Sequence, residues 1–191
     1  MTARTHDLAA LTGLTFAIAF IQLPQITMAT AVTAFAANMI GGLLPDIDDA
    51  TSDFWDTIRL GNLVSKIINP LIDNHRKITH SLIGMTISGF ILHYLLQVVG
   101  KVLIVDMDIV WWSMMIGYAS HLVMDSFTKE GVPWLLPLPV RIGFPPIRAL
   151  RITTGKLTEK ALVFPGLILV NGYLIYNYYP TFLGLFGGLT K

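Results

Sequence analysis

The chain has 191 residues, 13% of them charged and 53% hydrophobic, with a formal net charge of +1 and a mean hydropathy of +0.63. A soluble domain carries about 25% charged residues and disorder needs low hydrophobicity with high charge, so both classes are excluded. Near-neutral charge gives no reason to expect nucleic acid, and the absence of cysteine removes disulfides, thiolate metal sites and cysteine nucleophiles.

What remains is an integral membrane protein, read as one all-α domain over residues 1–191. A spanning helix needs roughly 20 mainly apolar residues, and five stretches qualify to different degrees. The first, 8–22, is uncharged and stopped by Pro24; it is short, rising only about 22 Å. The second, 26–44, is rich in Ala, Thr and Met and closes on Gly41-Gly42. The third, 78–99, carries only His80 and His93. The fourth, 109–124, is apolar except for His121 and starts near Trp111-Trp112, a pair suited to a membrane interface. The fifth, 161–179, ends among Tyr173, Tyr176, Tyr178 and Tyr179. The expected architecture is a polytopic helical bundle of about five transmembrane helices.

Five spans put the N-terminus and the loops 45–77 and 126–160 on one side. That side holds Arg4, Arg59, Lys66, Arg76, Lys77, Lys129, Arg141, Arg148, Arg151, Lys156 and Lys160, leaving Lys101 and Lys191 for the other. Cytoplasmic loops carry the Lys/Arg excess, so the N-terminus is expected inside, in the cell's inner membrane. A lone Arg4 followed by Asp7 is not the basic start of a cleavable signal peptide.

The His and acidic residues collect at that same face. His6 precedes the first span; Asp46, Asp48 and Asp49 follow the second; His75 and His80 flank the start of the third; His121 and Asp125 close the fourth; Glu159 opens the fifth. His121 and Asp125, four apart, share a helical face. Ionisable groups at the edge of hydrocarbon cost about 2.5–3.5 kcal/mol each, and a divalent cation would offset that cost. Imidazole with carboxylate suits Zn, Mn or Fe. Taken singly each has a blander reading: an interfacial His, an Asp turn after Pro45, or a cap at Asp125. His93, near mid-span, reads as a packing or hydrogen-bonding residue. Asp106 and Asp108 fall on the opposite side, and Asp53, Asp56 and Asp73 read as solvated loop charges. Thr79 and Ser81 read as supporting hydrogen bonders or helix caps.

Three motifs carry a family resemblance: Leu44-Pro45-Asp46-Ile47-Asp48, then His75-Arg76-Lys77-Ile78-Thr79-His80-Ser81, then Gly117-Tyr118 through His121 to Asp125 with the tail Ser126–Trp134. In order and spacing they resemble the YdjM-type membrane-bound metal-dependent hydrolases of bacteria, over most of the chain. That family is distantly similar to the zinc-dependent phospholipase C and P1 nuclease superfamily, which is helical and trinuclear. The resemblance implies one zinc on Asp46, His80, His121 and Asp125, and a second on His6 and a bridging Asp125. No His follows His121 to build a third site, and the chain terminus is not expected to be a processed ligand. At most two metals are therefore implied, with Asp48 or Glu159 replacing missing ligands.

The function expected from this set is hydrolysis of a phosphate ester in a lipid-like or membrane-proximal substrate, assisted by one or two divalent ions, zinc foremost. Asp48 is the candidate general base, its segment a tight turn or short extended piece. Arg76 and Lys77 are candidate phosphate contacts, with positive-inside topology alone as their bland reading. The absence of a Gly-x-Ser-x-Gly elbow disfavours a serine hydrolase. The alternative is a metal-binding membrane protein with a transport, regulatory or purely structural role and no turnover.

Overall fold

A computed structural model describes residues 1–21, 23–48, 78–138 and 140–185, with only the backbone described at 47 and 48. Among these residues the secondary structure is helical: α1 (Ala3–Phe20), α2 (Met28–Leu43), α3 (Leu82–Gly100), α4 (Met107–Ser126), α5 (Phe164–Asn177) and a short α6 (Tyr179–Gly184). β-Structure is limited to two isolated bridges, Thr128 with Ile152 and Val132 with Ile142.

Helix starts are set by local side-chain chemistry. The hydroxyl of Thr27 accepts the Thr30 N–H at 3.1 Å and opens α2, and that of Ser81 accepts the Gly84 N–H at 3.1 Å and opens α3. Asp106 accepts the N–H groups of Asp108 and Ile109 at the start of α4. Each satisfies donors that a helix N-terminus leaves unpaired. Beyond α2 the chain runs straight into a 3₁₀ helix, Leu44–Asp48, so helical structure continues where a tight turn or short extended piece was expected, and positions 46 and 48 stand about 120° apart around its axis. A turn of π-helix, Glu159–Val163, leads into α5.

The expected spans each coincide with a helix. Two helices among the described residues, Met28–Asp46 and Leu82–Gly100, are long and apolar enough to cross a membrane. The other three fall short for visible reasons. Polar residues interrupt α1 (Thr5, His6, Asp7, Thr12, Thr15) and α4 (Asp108, Ser113, Ser120, His121, Asp125), and α5 has 14 residues. The outer surface of α3 is apolar, with Ile87, Phe90, Tyr94 and Leu95 all exposed, while the residues it buries are glycines, Gly84 and Gly89.

Helix α4 is the axis of the bundle and packs most extensively on α2. Close approach is enforced by glycine: a Cβ at Gly41 would fall on the Met114 carbonyl, and one at Gly117 on the Asn38 carbonyl. Small residues let helix backbones meet in this way in membranes. The amide of Asn38 then donates to the Ser113 carbonyl at 2.9 Å. Ala34, Ala37, Met107, Val110 and Met114 form one core cluster, and Tyr118, Leu122 and Val132 another. On the far flank, Asn171 of α5 donates to the Thr12 hydroxyl of α1 at 2.6 Å. This packing brings the start of α1, the end of α2, the turn before α3 and the end of α4 to one end of the molecule.

Candidate metal centre

At that end His121 is held first. Its Nδ1 lies 2.7 Å from the Gly42 carbonyl oxygen. A carbonyl only accepts, so Nδ1 carries a proton and Nε2 is the nitrogen left to face the rest of the site. His121 is 1% exposed, and Nε2 has no hydrogen-bond partner. What faces it are carboxylates: Asp125 Oδ2 at 3.4 Å and Asp46 Oδ1 at 3.6 Å. Carboxylates converging on a buried imidazole nitrogen are held by positive charge, which a metal ion or a proton on Nε2 supplies.

His80 completes the set. Its Nε2 lies 3.4 Å from Asp46 Oδ1 and 3.8 Å from Asp125 Oδ2. The turn carrying it is fixed by Tyr118, whose hydroxyl donates to the Thr79 carbonyl at 2.6 Å, and by Ser81, whose hydroxyl donates to the Ile78 carbonyl at 2.6 Å. Thr79 and Ser81 are thus the supporting residues they were expected to be. Two ligands about 2.1 Å from a tetrahedral zinc lie about 3.4 Å apart. The His80 and His121 nitrogens each stand 3.4–3.8 Å from an Asp46 and an Asp125 oxygen, close to the spacing of neighbouring ligands on one ion.

Asp125 turns its other oxygen to a second set. Oδ1 lies 3.2 Å from His6 Nε2 and 2.6 Å from the Met1 α-amino nitrogen. The His6 ring stacks on that of His121 with centroids 3.7 Å apart, and His6 Nδ1 is a second buried nitrogen without a partner. Two groups of side chains, His6 with His121 and Asp125, and Asp46 with His80 and His121, each keep their donor atoms within 4.8 Å of one another and could hold a metal ion.

Five of the expected site residues therefore meet, and Glu159 takes another place. Its carboxylate accepts the Thr2 N–H at 2.7 Å, the Thr2 hydroxyl at 2.8 Å and the Gly155 N–H at 2.7 Å. Burial alone would raise its pKa; the Thr2 N–H, the Thr5 hydroxyl, the Gly155 N–H and the Thr2 hydroxyl outweigh it and lower the value from 4.5 to about 2. Glu159 ties the first turn of α1, and with it His6, to the start of the π-turn. Because the folded pKa is depressed, this contribution is complete above about pH 4.5 and lost as pH falls towards 2. Glu159→Gln should lower thermal stability near neutral pH by about 1–3 kcal/mol, and its gap from wild type should close on acidification through that window. A gap that persists at the acid end would assign the loss to packing.

His93 sits edge-on to Trp111, ring centroids 5.4 Å apart, in the packing role read from its mid-span position. Asp106 is a helix cap. Arg76 and Lys77 lie outside the described residues, as do His75, Asp49 and the side chain of Asp48. Sequence reasoning missed the Met1 amine beside Asp125, the Thr2–Glu159 tie and the Gly42 carbonyl that orients His121. The signal for the last was the Gly41-Gly42 pair, which lets α4 approach closely enough for an imidazole to reach backbone.

The chain matches the model of the family described as YdjM inner membrane protein over residues 1–182. It is also 32% identical over 176 residues to the uncharacterized protein YvsG of Bacillus subtilis, covering 92% of this chain and 95% of that protein. No solved structure matches. An apolar helical chain whose polar residues converge at one end of the bundle, matched over nearly its whole length, belongs to the YdjM inner membrane protein family.

Proposed function

We propose that the protein is a membrane-bound metal-dependent hydrolase, acting on a phosphate ester in a lipid-like or membrane-proximal substrate with one or two divalent ions, zinc foremost and manganese or iron as alternatives. The observation that carries this reading is the buried Nε2 of His121, without a hydrogen-bond partner, facing two carboxylates. Asp46, His80, His121 and Asp125 are assigned to one ion, and His6 with the second oxygen of Asp125 to the other. A bound divalent ion supplies Lewis acidity to a phosphoryl oxygen and makes water a stronger acid. The chain's part is to keep the donor set fixed. Gly42 sets the His121 tautomer, Tyr118 and Ser81 hold the turn of His80, and Glu159 holds the helix end that carries His6. Such supporting contacts orient ligands and raise their basicity. Asp48 is assigned the base and Arg76 and Lys77 the phosphate contacts.

The reading includes five spans, with α1, α4 and α5 crossing beside the two helices that meet the length and apolarity requirement, and the N-terminus inside. Packing supports it: Thr5, His6 and Thr15 of α1 and Ser113 and His121 of α4 are buried, while Asp108 lies exposed at the start of α4. Reporter fusions should place Lys66 and Lys156 in the cytoplasm and Lys101 outside; opposite sides for Lys66 and Lys156 would break the five-span arrangement. The activity is tested on protein purified in detergent with a chromogenic phosphodiester. Turnover should stop with a chelator and return with zinc, whereas chelator-insensitive or absent turnover alongside bound metal would favour a binding protein.

A further inference from the structure

The segment between α4 and Glu159 is well built yet displays apolar side chains outward. It is stitched to the end of α4 by backbone bonds from Phe144 N to the Ser126 carbonyl at 2.7 Å and from Ile152 N to the Phe127 carbonyl at 3.0 Å. Trp134 adds two ties: its indole donates to the Ser126 hydroxyl at 2.8 Å, and its carbonyl accepts the Leu82 N–H at 3.1 Å. The segment therefore bridges the end of α4, where Asp125 sits, and the start of α3, beside His80.

Leu138, Phe144, Ile147 and Leu150 are nonetheless 56–68% exposed. Arg141, Arg148 and Lys156 are exposed in the same segment; Arg148 donates to the Lys129 carbonyl and lies 3.8 Å from Glu130, the one acidic residue across 126–158. Four large apolar side chains exposed within thirteen residues of one segment are the kind of surface that an interaction covers. Mixed with Lys and Arg, and placed where transmembrane helices end, it has the chemistry of a segment lying in the headgroup–acyl boundary, with long basic side chains reaching the headgroups.

We infer that the segment 127–158 is an interfacial membrane-docking surface, immersed through Leu138, Phe144, Ile147 and Leu150 in a leaflet rich in anionic lipid, with Arg141 and Arg148 paired to its headgroups. The charge balance selects the occupant: exposed cations around the apolar side chains fit an anionic lipid surface. This rests on the family's membrane placement and not on the hydrolase reading. Its consequence is that the metal-binding cluster is bordered by lipid, so that a lipid headgroup reaches it along the leaflet.

The chain has no cysteine, so single nitroxide labels at Leu138→Cys, Ile147→Cys and Leu150→Cys test the inference in full-length protein in lipid nanodiscs. Phe90→Cys, on the apolar face of α3, serves as the lipid-facing reference. In discs containing phosphatidylglycerol the three labels should collide with oxygen several-fold more than with a water-soluble nickel chelate, as at position 90. The preference should weaken in purely zwitterionic discs. Labels open to nickel like free label in buffer would overturn the docking surface. Labels shielded from both reagents would overturn it too, by showing that protein, a second copy or another segment, covers the patch. Equal immersion without anionic lipid would overturn the assignment of Arg141 and Arg148.

Discussion

His121→Ala and Asp125→Ala are each expected to remove nearly all bound metal, and His93→Ala to remove none. The difference follows from position. His121 Nε2 belongs to both candidate groups, and Asp125 gives one oxygen to His6 and the other to His80 and His121. Removing His121 breaks both groups at once, and removing Asp125 breaks one group and takes a carboxylate oxygen from beside the other. His6→Ala and His80→Ala each break one group, so a centre holding two ions should lose about half its metal in each. His93 packs on Trp111, away from the convergent helix ends. The measurement is metal content per chain after purification without chelator, with helicity as the control for folding. Equal metal in all five proteins would refute the ligand assignment.

The second large effect separates two aspartates two residues apart. Asp46→Asn should lose metal and activity together, because Asp46 Oδ1 lies within 3.6 Å of both His80 and His121 nitrogens. Asp48→Asn should keep the metal and lose about 10²–10⁴-fold in phosphodiester hydrolysis, the usual contribution of a general base. Both sit in the 3₁₀ turn Leu44–Asp48, which Pro45 starts by ending the helix that Gly41 and Gly42 pack against α4. Metal loss in Asp48→Asn would make it a ligand, and full activity would leave it a turn residue.

Much of this arrangement is readable in the sequence because a membrane chain has few places for charge. Each of the five stretches read as spans overlaps a helix among the described residues, and the ionisable residues at the run ends, His6, Asp46, His80, His121 and Asp125, were the ones that converged. The helical i,i+4 spacing of His121 and Asp125 suffices for their shared face. Glu159 lies at the start of the fifth helix as read, and the partners it has there were not legible. Its contacts are with Thr2, 157 positions away, and a one-dimensional pattern contains nothing that pairs them. The Gly42 carbonyl was hidden for a related reason, since every residue has a carbonyl and only the α2–α4 approach selects this one. Segment 126–160 read simply as a loop. Its order comes from long-range backbone bonds, such as Val132 with Ile142, and not from any periodic apolar pattern.

Whether these helix ends form a metal centre is decided by elemental analysis of the detergent-purified protein. About one to two divalent first-row ions per chain are expected, zinc foremost, removed by chelation and restored by added metal. Protein that is folded, carries no such ion and takes up none when zinc is supplied would contradict it.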